Sequence, residues 1–249
     1  MALTDLPGCV QHYRFSDESA SFYEDEVFFD QSAYAGFGHH VTKITGTPAF
    51  ADVGPNNRRA LYLDNTCHWQ FACQVPWHGT MVVAAQWEHH NSGTVSFYPM
   101  IFGEAVTVTN NASLRGGHFS GNERAHFVGP GGTLVSGLNA GVPDSAPSIM
   151  AWSRNQQDRV GRFTIDAATV DATSALAGTA NGNFIGFGGQ PRVRLGNLNG
   201  TAGDTTDVSG TLGALYLFEV AFFQGDLLRD ELAALASEWA ELEAYYGVA

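Results

Sequence analysis

Short apolar runs recur along most of this chain, separated by clusters of Gly, Asn, Asp and Pro. That pattern predicts strands and turns more than helices. Residues 61–63 read as a short strand, and Asp64 and Asn65 as the turn after it. Over 69–75, Trp69, Phe71, Cys73 and Val75 alternate onto one face. Residues 81–87 are apolar on both faces, as a strand covered from both sides is. Pro99 interrupts 94–102, which predicts an edge or bulged strand. Further strands are predicted over 125–128, 148–153, 159–166, 184–188 and 193–196.

The clearest signal lies at the end, residues 210–247. Its first half predicts a strand, with Tyr216, Phe218, Val220 and Phe222 on one face and Leu215, Leu217, Glu219 and Ala221 on the other. Gln224, Gly225 and Asp226 break the alternation, and Asp226 is placed to cap a helix. Leu228, Leu232, Leu235, Trp239, Leu242 and Tyr246 then follow at spacings of four and three, one apolar stripe of a helix. Gly247 fits its stop. Glu219 falls on a strand predicted to be buried, where its expected role is to accept hydrogen bonds from nearby backbone.

This ending resembles that of the concanavalin A-like, laminin-G-like lectin/glucanase domains. The matching residues are Glu219, Val220, Phe222 and Phe223, then Leu227, Glu231 and the Tyr246-Gly247 pair. The stretch from Gly46 to Trp87 resembles the early half of that family. Trp152, the Ile165-Asp166 pair and the Leu195-Gly196 pair resemble its later strands. The resemblance covers about residues 46–247. It implies an all-β, concanavalin A-like jelly-roll β-sandwich of two antiparallel sheets with a C-terminal α-helix. The domain division expected is an N-terminal arm or first strand over 1–45 and the jelly roll over 46–249.

Composition narrows the function. The net charge is −13, which argues against a nucleic-acid partner and against an anionic membrane surface. No run is long enough to span a bilayer, so no membrane insertion is expected. The first fifteen residues lack the basic and apolar regions of a secretory leader. Cys9, Cys67 and Cys73 make an odd count, which favours buried thiols and a reducing compartment.

Each candidate chemistry competes with a plainer role. Some relatives of the implied fold cleave polysaccharides with acids on alternate positions of one strand, but only Glu24 and Glu26 share a face in that way. No catalytic residue is assigned, and the chain is expected not to be an enzyme. His39, His40, Glu88, His89 and His90 hold metal-ligand chemistry without a fixed set. Asp204 and Asp207 offer oxygens to a structural calcium, or are solvated turn residues. Trp77, Trp87, Trp152, Arg154 and Asn155 have the chemistry of a glycan site, although most sandwich tryptophans pack inside. Phe15, Phe22, Tyr23, Phe28 and Phe29 concentrate aromatic surface in the first 45 residues, as an interface does. The main expectation is a non-catalytic structural or decoration protein of a bacteriophage virion, homo-oligomeric and bound to other virion or assembly proteins, with host or environmental glycans as further partners. The alternative is a secreted or surface carbohydrate-binding or adhesion module, and behind it a polysaccharide-degrading enzyme, a lyase or a glycoside hydrolase.

Overall fold

The computed structural model describes residues 3–16, 23–24, 27–28, 41–45, 49–63, 68–71, 79–89, 100–104, 113–119, 122–128, 145–155, 158, 160–166, 172–175, 193–196 and 213–248. Sixteen strands lie among them. They are β1 (Cys9–Arg14), β2 (Tyr23–Glu24), β3 (Val27–Phe28), β4 (Val41–Thr45), β5 (Ala49–Val53), β6 (Arg58–Leu63), β7 (His68–Phe71) and β8 (Gly79–His89). Then come β9 (Met100–Glu104), β10 (Ser113–Phe119), β11 (Asn122–Val128), β12 (Pro147–Asn155), β13 (Val160–Ile165), β14 (Ala172–Ala175), β15 (Val193–Gly196) and β16 (Gly213–Gln224). Two helices, α1 (Leu227–Asp230) and α2 (Leu232–Tyr246), end the chain.

The strands form two antiparallel sheets. One runs β14-β13-β12-β8-β16-β6-β5, with β1 also paired to β16. The other runs β11-β10-β9-β15-β7-β4-β3-β2. The fold is a jelly-roll β-sandwich with a C-terminal helix. The first sheet is covered on both faces. One face presents Tyr13, Phe15, Leu61, Met81, Val83, Met150, Phe163, Leu217, Val220 and Phe222, all buried; it is the face on which β10 of the second sheet approaches β8. The other carries Ala60, Val82, Ala84, Ile149, Ala151, Ala221 and Phe223, which pack with Leu227, Leu228, Leu235, Trp239, Leu242 and Tyr246 of the helices. Small residues in the strands let the helix lie close to the sheet, so nearly the whole predicted stripe is buried.

The predicted alternation in the closing strand is corrected. Leu217 pairs with Ala85, but Glu219, not Phe218, pairs with Ala84. Phe218 is therefore an extra residue, a bulge, and a bulge exchanges the faces of everything after it. Leu217, Val220 and Phe222 share the inter-sheet face, while Glu219, Ala221 and Phe223 lie under the helix. The bulge also marks where β16 changes neighbours. Before it, Leu215–Leu217 pair with β6; after it, Glu219–Phe223 pair with β1. The backbone N–H groups of Phe15 and Ser16 both donate to the Phe218 carbonyl, at 2.8 and 3.3 Å, closing the junction.

The helix start differs from expectation too. Asp226 occupies the position before Leu227, but its side chain makes no capping bond. Thr80 Oγ1, from the sheet below, accepts from the Leu227 N–H at 2.9 Å and donates to the Gly225 carbonyl at 2.8 Å. This leaves the Asp226 carboxylate to accept from Arg162 Nη1. Glu231 interrupts the helical path between α1 and α2. Gly247 ends α2 in the left-handed region, φ 74°, and its N–H donates to the Glu243 carbonyl at 2.8 Å.

Candidate functional site

The most elaborate polar arrangement among the described residues surrounds Glu219. The carboxylate is wholly buried beneath α2. Its Oε1 lies 2.5 Å from His12 Nε2. Its Oε2 accepts from Tyr246 Oη at 2.5 Å and from Arg14 Nε at 3.3 Å. Tyr246 Oη also lies 3.1 Å from Ser16 Oγ. The expectation that Glu219 accepts from backbone is therefore corrected: its partners are side chains from β1 and from the end of α2. Strand pairing explains the first two, because Arg14 stands opposite Glu219 and His12 opposite Ala221, on one face. The bulge explains the third. Phe218 and Glu219 both turn toward the helix, so the Phe218 ring meets the Tyr246 ring at 5.0 Å while Glu219 takes its hydroxyl.

The electrostatics follow from this geometry. Burial pushes the Glu219 carboxyl up, but the His12 hydrogen bond, the charges of His12 and Arg14 and the Tyr246 hydroxyl together hold it below its ordinary value. Burial, reinforced by the Glu219 charge, pushes the Tyr246 phenol well above its ordinary value. Tyr246 thus stays protonated and remains a donor. For Arg14, desolvation works downward, and the Glu219 charge leads the opposing effects that leave the guanidinium raised. The network joins the first strand, the last strand and the last helix through one charge. It is closed to solvent on the helix side, so its chemistry is that of a fastening.

A second polar group lies at the other end of the helical segment. Arg162 holds Asp226, and Arg229 reaches Asp158 and Asp230 across the surface. Asn155, expected in a glycan site, is buried and spans its own hairpin turn: Nδ2 donates to Asp158 Oδ2 at 3.1 Å, and Oδ1 accepts from the Asp158 N–H at 3.2 Å. Strand pairing sets Trp152 opposite Met81 and Phe163, and Arg154 opposite Gly79 and Gly161. Trp87 stands opposite Leu215 in the centre of the first sheet. Trp77, Asp204, Asp207, Phe22 and Phe29 lie outside the described residues, and Tyr23 and Phe28 are described as members of β2 and β3. Phe15, expected at an interface, is 1 % exposed and sits inside the chain's own core. Its surface is not available to a partner. Cys9 is a buried thiol.

The third arrangement, at the end of α2, was not singled out from the sequence. Asn56 Nδ2 donates to the carbonyls of Ala244 and Tyr245, at 2.9 and 3.0 Å, and Arg58 Nε donates to the Tyr245 carbonyl at 3.1 Å. The Arg58 guanidinium lies 3.8 Å from the centre of the Tyr245 ring, and that of Arg14 lies 5.3 Å from it. A polar turn, Asn56-Asn57-Arg58-Arg59, is the only sequence trace of this contact.

No protein-family description matches this sequence, and no curated protein does. Solved structures do. Domain 4 of AbnA, a GH43 extracellular arabinanase from Geobacillus stearothermophilus, solved in complex with arabinotriose, superposes with a TM-score of 0.60 at 14 % identity. The match covers 92 % of this chain and 98 % of that domain. The fold is shared. The botulinum neurotoxin serotype C1 binding domain matches with a TM-score of 0.56 at 10 % identity, over 94 % of this chain and 52 % of its own, so this chain spans about half of the toxin domain. A structure from work on endo-acting O-glycanases of the human gut microbiota, which initiate mucin breakdown, gives 0.51 at 11 % identity, over 88 % of this chain and 100 % of that one. At such identities the likeness establishes architecture alone.

Proposed function

We propose that this chain is a non-catalytic carbohydrate-binding domain. The observation that carries the reading is the end-to-end correspondence with a domain solved with a bound oligosaccharide, over 92 % of one chain and 98 % of the other. Other neighbours point the same way: a botulinum neurotoxin type C structure is described through cell entry that depends on two ganglioside molecules. The interior chemistry is consistent with binding without cleavage. Glu219 and Asp226 are both buried, and each is engaged by an arginine, so neither is free to protonate or attack a glycosidic bond. The sequence favoured decoration of a virion and put glycan binding second. The neighbours favour glycan binding and supply nothing for the particle.

A glycan array probed with the labelled chain tests the reading, followed by incubation of each bound saccharide with excess protein. Retention of a defined set of saccharides, all recovered intact, is expected. An array without binding would remove the proposal, and shortened or unsaturated products would replace it with an enzyme.

A further inference from the structure

The arginines of the helix-bearing face differ in how their charge is met. Arg14 is set against Glu219, Arg162 against Asp226, and Arg229 against Asp158 and Asp230. Among the described residues, no carboxylate lies within ion-pair distance of Arg58. Its contacts are the Tyr245 carbonyl, reached by Nε, and the Tyr245 ring beneath its guanidinium. Both residues are half-buried at the surface. Capping the end of α2 accounts for Nε, and Asn56 already serves the Tyr245 carbonyl together with that of Ala244. It does not use the edge formed by the two terminal amino groups, which is the part of a guanidinium that matches a carboxylate or sulfate in two parallel bonds.

Arg14 adds to the argument. Its guanidinium lies against the same ring, so two cations share one tyrosine. Glu219 is buried and is shared among His12, Arg14 and Tyr246. None of its hydrogen bonds or ion pairs reaches Arg58. Stacking on the ring fixes the plane of Arg58 before any ligand arrives, which lowers the ordering cost of binding. In a chain of net charge −13, such an uncompensated and oriented cation is a local exception.

We infer that Arg58, supported by Arg14 and Tyr245, is the subsite that takes the acidic group of an acidic saccharide, a carboxylate or a sulfate ester. The inference rests on the glycan-binding reading and gives it a ligand class. Arg58 Nη1 and Nη2 donate to two oxygens of the anion, and the anion relieves the repulsion between the two guanidinium groups.

Titration calorimetry on the full chain tests this with three probes: a uronic acid oligosaccharide, its carboxyl-reduced neutral counterpart, and a sulfated form of that neutral oligosaccharide. Two variants accompany the wild type. Arg58→Met keeps an apolar stem over the ring and removes the charge. Asn56→Ala weakens the same helix end and leaves the charge. The wild type should bind the uronate or the sulfated probe about tenfold or more tightly than the neutral one, as a charge-assisted pair does. Arg58→Met should erase that preference, and Asn56→Ala should retain it. The acidic probe that binds identifies the source of the anion. Equal binding of acidic and neutral probes by the wild type would overturn the inference and leave the glycan reading standing. So would equal losses in Arg58→Met and Asn56→Ala, because Arg58 would then act only through the helix end. Binding of none of the three by the wild type, with no saccharide retained on the array, would overturn both.

Discussion

Replacing Glu219 with Gln keeps the shape of a fully buried side chain and removes its charge. The carboxylate is held by His12 and Tyr246 at 2.5 Å each and by Arg14 at 3.3 Å. Removing one member of a buried ion pair costs about 3–5 kcal/mol, because the other is left without compensation. Arg14 is 23 % exposed and can recover some hydration, so the loss expected here is about 2–4 kcal/mol. For a chain of this size that is roughly 4–16 °C in Tm. Urea unfolding should show a lower midpoint at an unchanged slope. The pH dependence is diagnostic. Glu219 has a folded pKa below its unfolded value, so its contribution is fully present above the unfolded value of about 4.3 and is lost as pH falls through the depressed one. The wild type should therefore lose stability progressively below about pH 4.3, and Glu219→Gln should lack that component. Equal midpoints for the two proteins at pH 7, or parallel acid profiles, would refute the claim that this charge fastens the helix and the first strand to the sheet.

Other substitutions test the surrounding packing. Trp239→Ala removes a large side chain buried between helix and sheet and should cost about 3–5 kcal/mol by urea unfolding; a change under 1 kcal/mol would contradict its burial. Thr80→Val leaves the Leu227 N–H without its acceptor and should cost about 1–3 kcal/mol, with slowed amide exchange at Leu227 surviving only in the wild type. Deleting residues 1–40 removes β1 with its core residue Tyr13, and Phe15 just after it, and should abolish cooperative unfolding in calorimetry. A truncated chain with an intact transition would instead return that segment to the role of a detachable arm.

The helix was legible because its burial is periodic along the sequence: Leu228, Leu235, Trp239, Leu242 and Tyr246 are spaced for one face and all are buried. Gly247 was legible because a positive φ selects glycine. The bulge at Phe218 was not, since a strand apolar on both faces apart from Glu219 carries no mark of an extra residue. Nor were the partners of Glu219. His12 and Arg14 lie 207 and 205 residues away, and only the pairing of the first strand with the last brings them together. Asp226 was misread for a related reason. An acid before a helix suggests a local cap, but Thr80 from the neighbouring strand fills that role and Arg162 claims the carboxylate. The glycan candidates were chosen by residue type alone, and for Asn155 the side chain turned out to serve its own hairpin. For Glu219 and Asp226 long-range pairing decides the partners, and composition does not contain it.

Native mass spectrometry of the chain with an array-positive oligosaccharide tests the central claim, binding without cleavage, most directly. A complex whose mass equals protein plus intact saccharide, unchanged after prolonged incubation, is the predicted result. Release of smaller saccharides over time, or the absence of any complex at ligand concentrations that saturate the array signal, would contradict it.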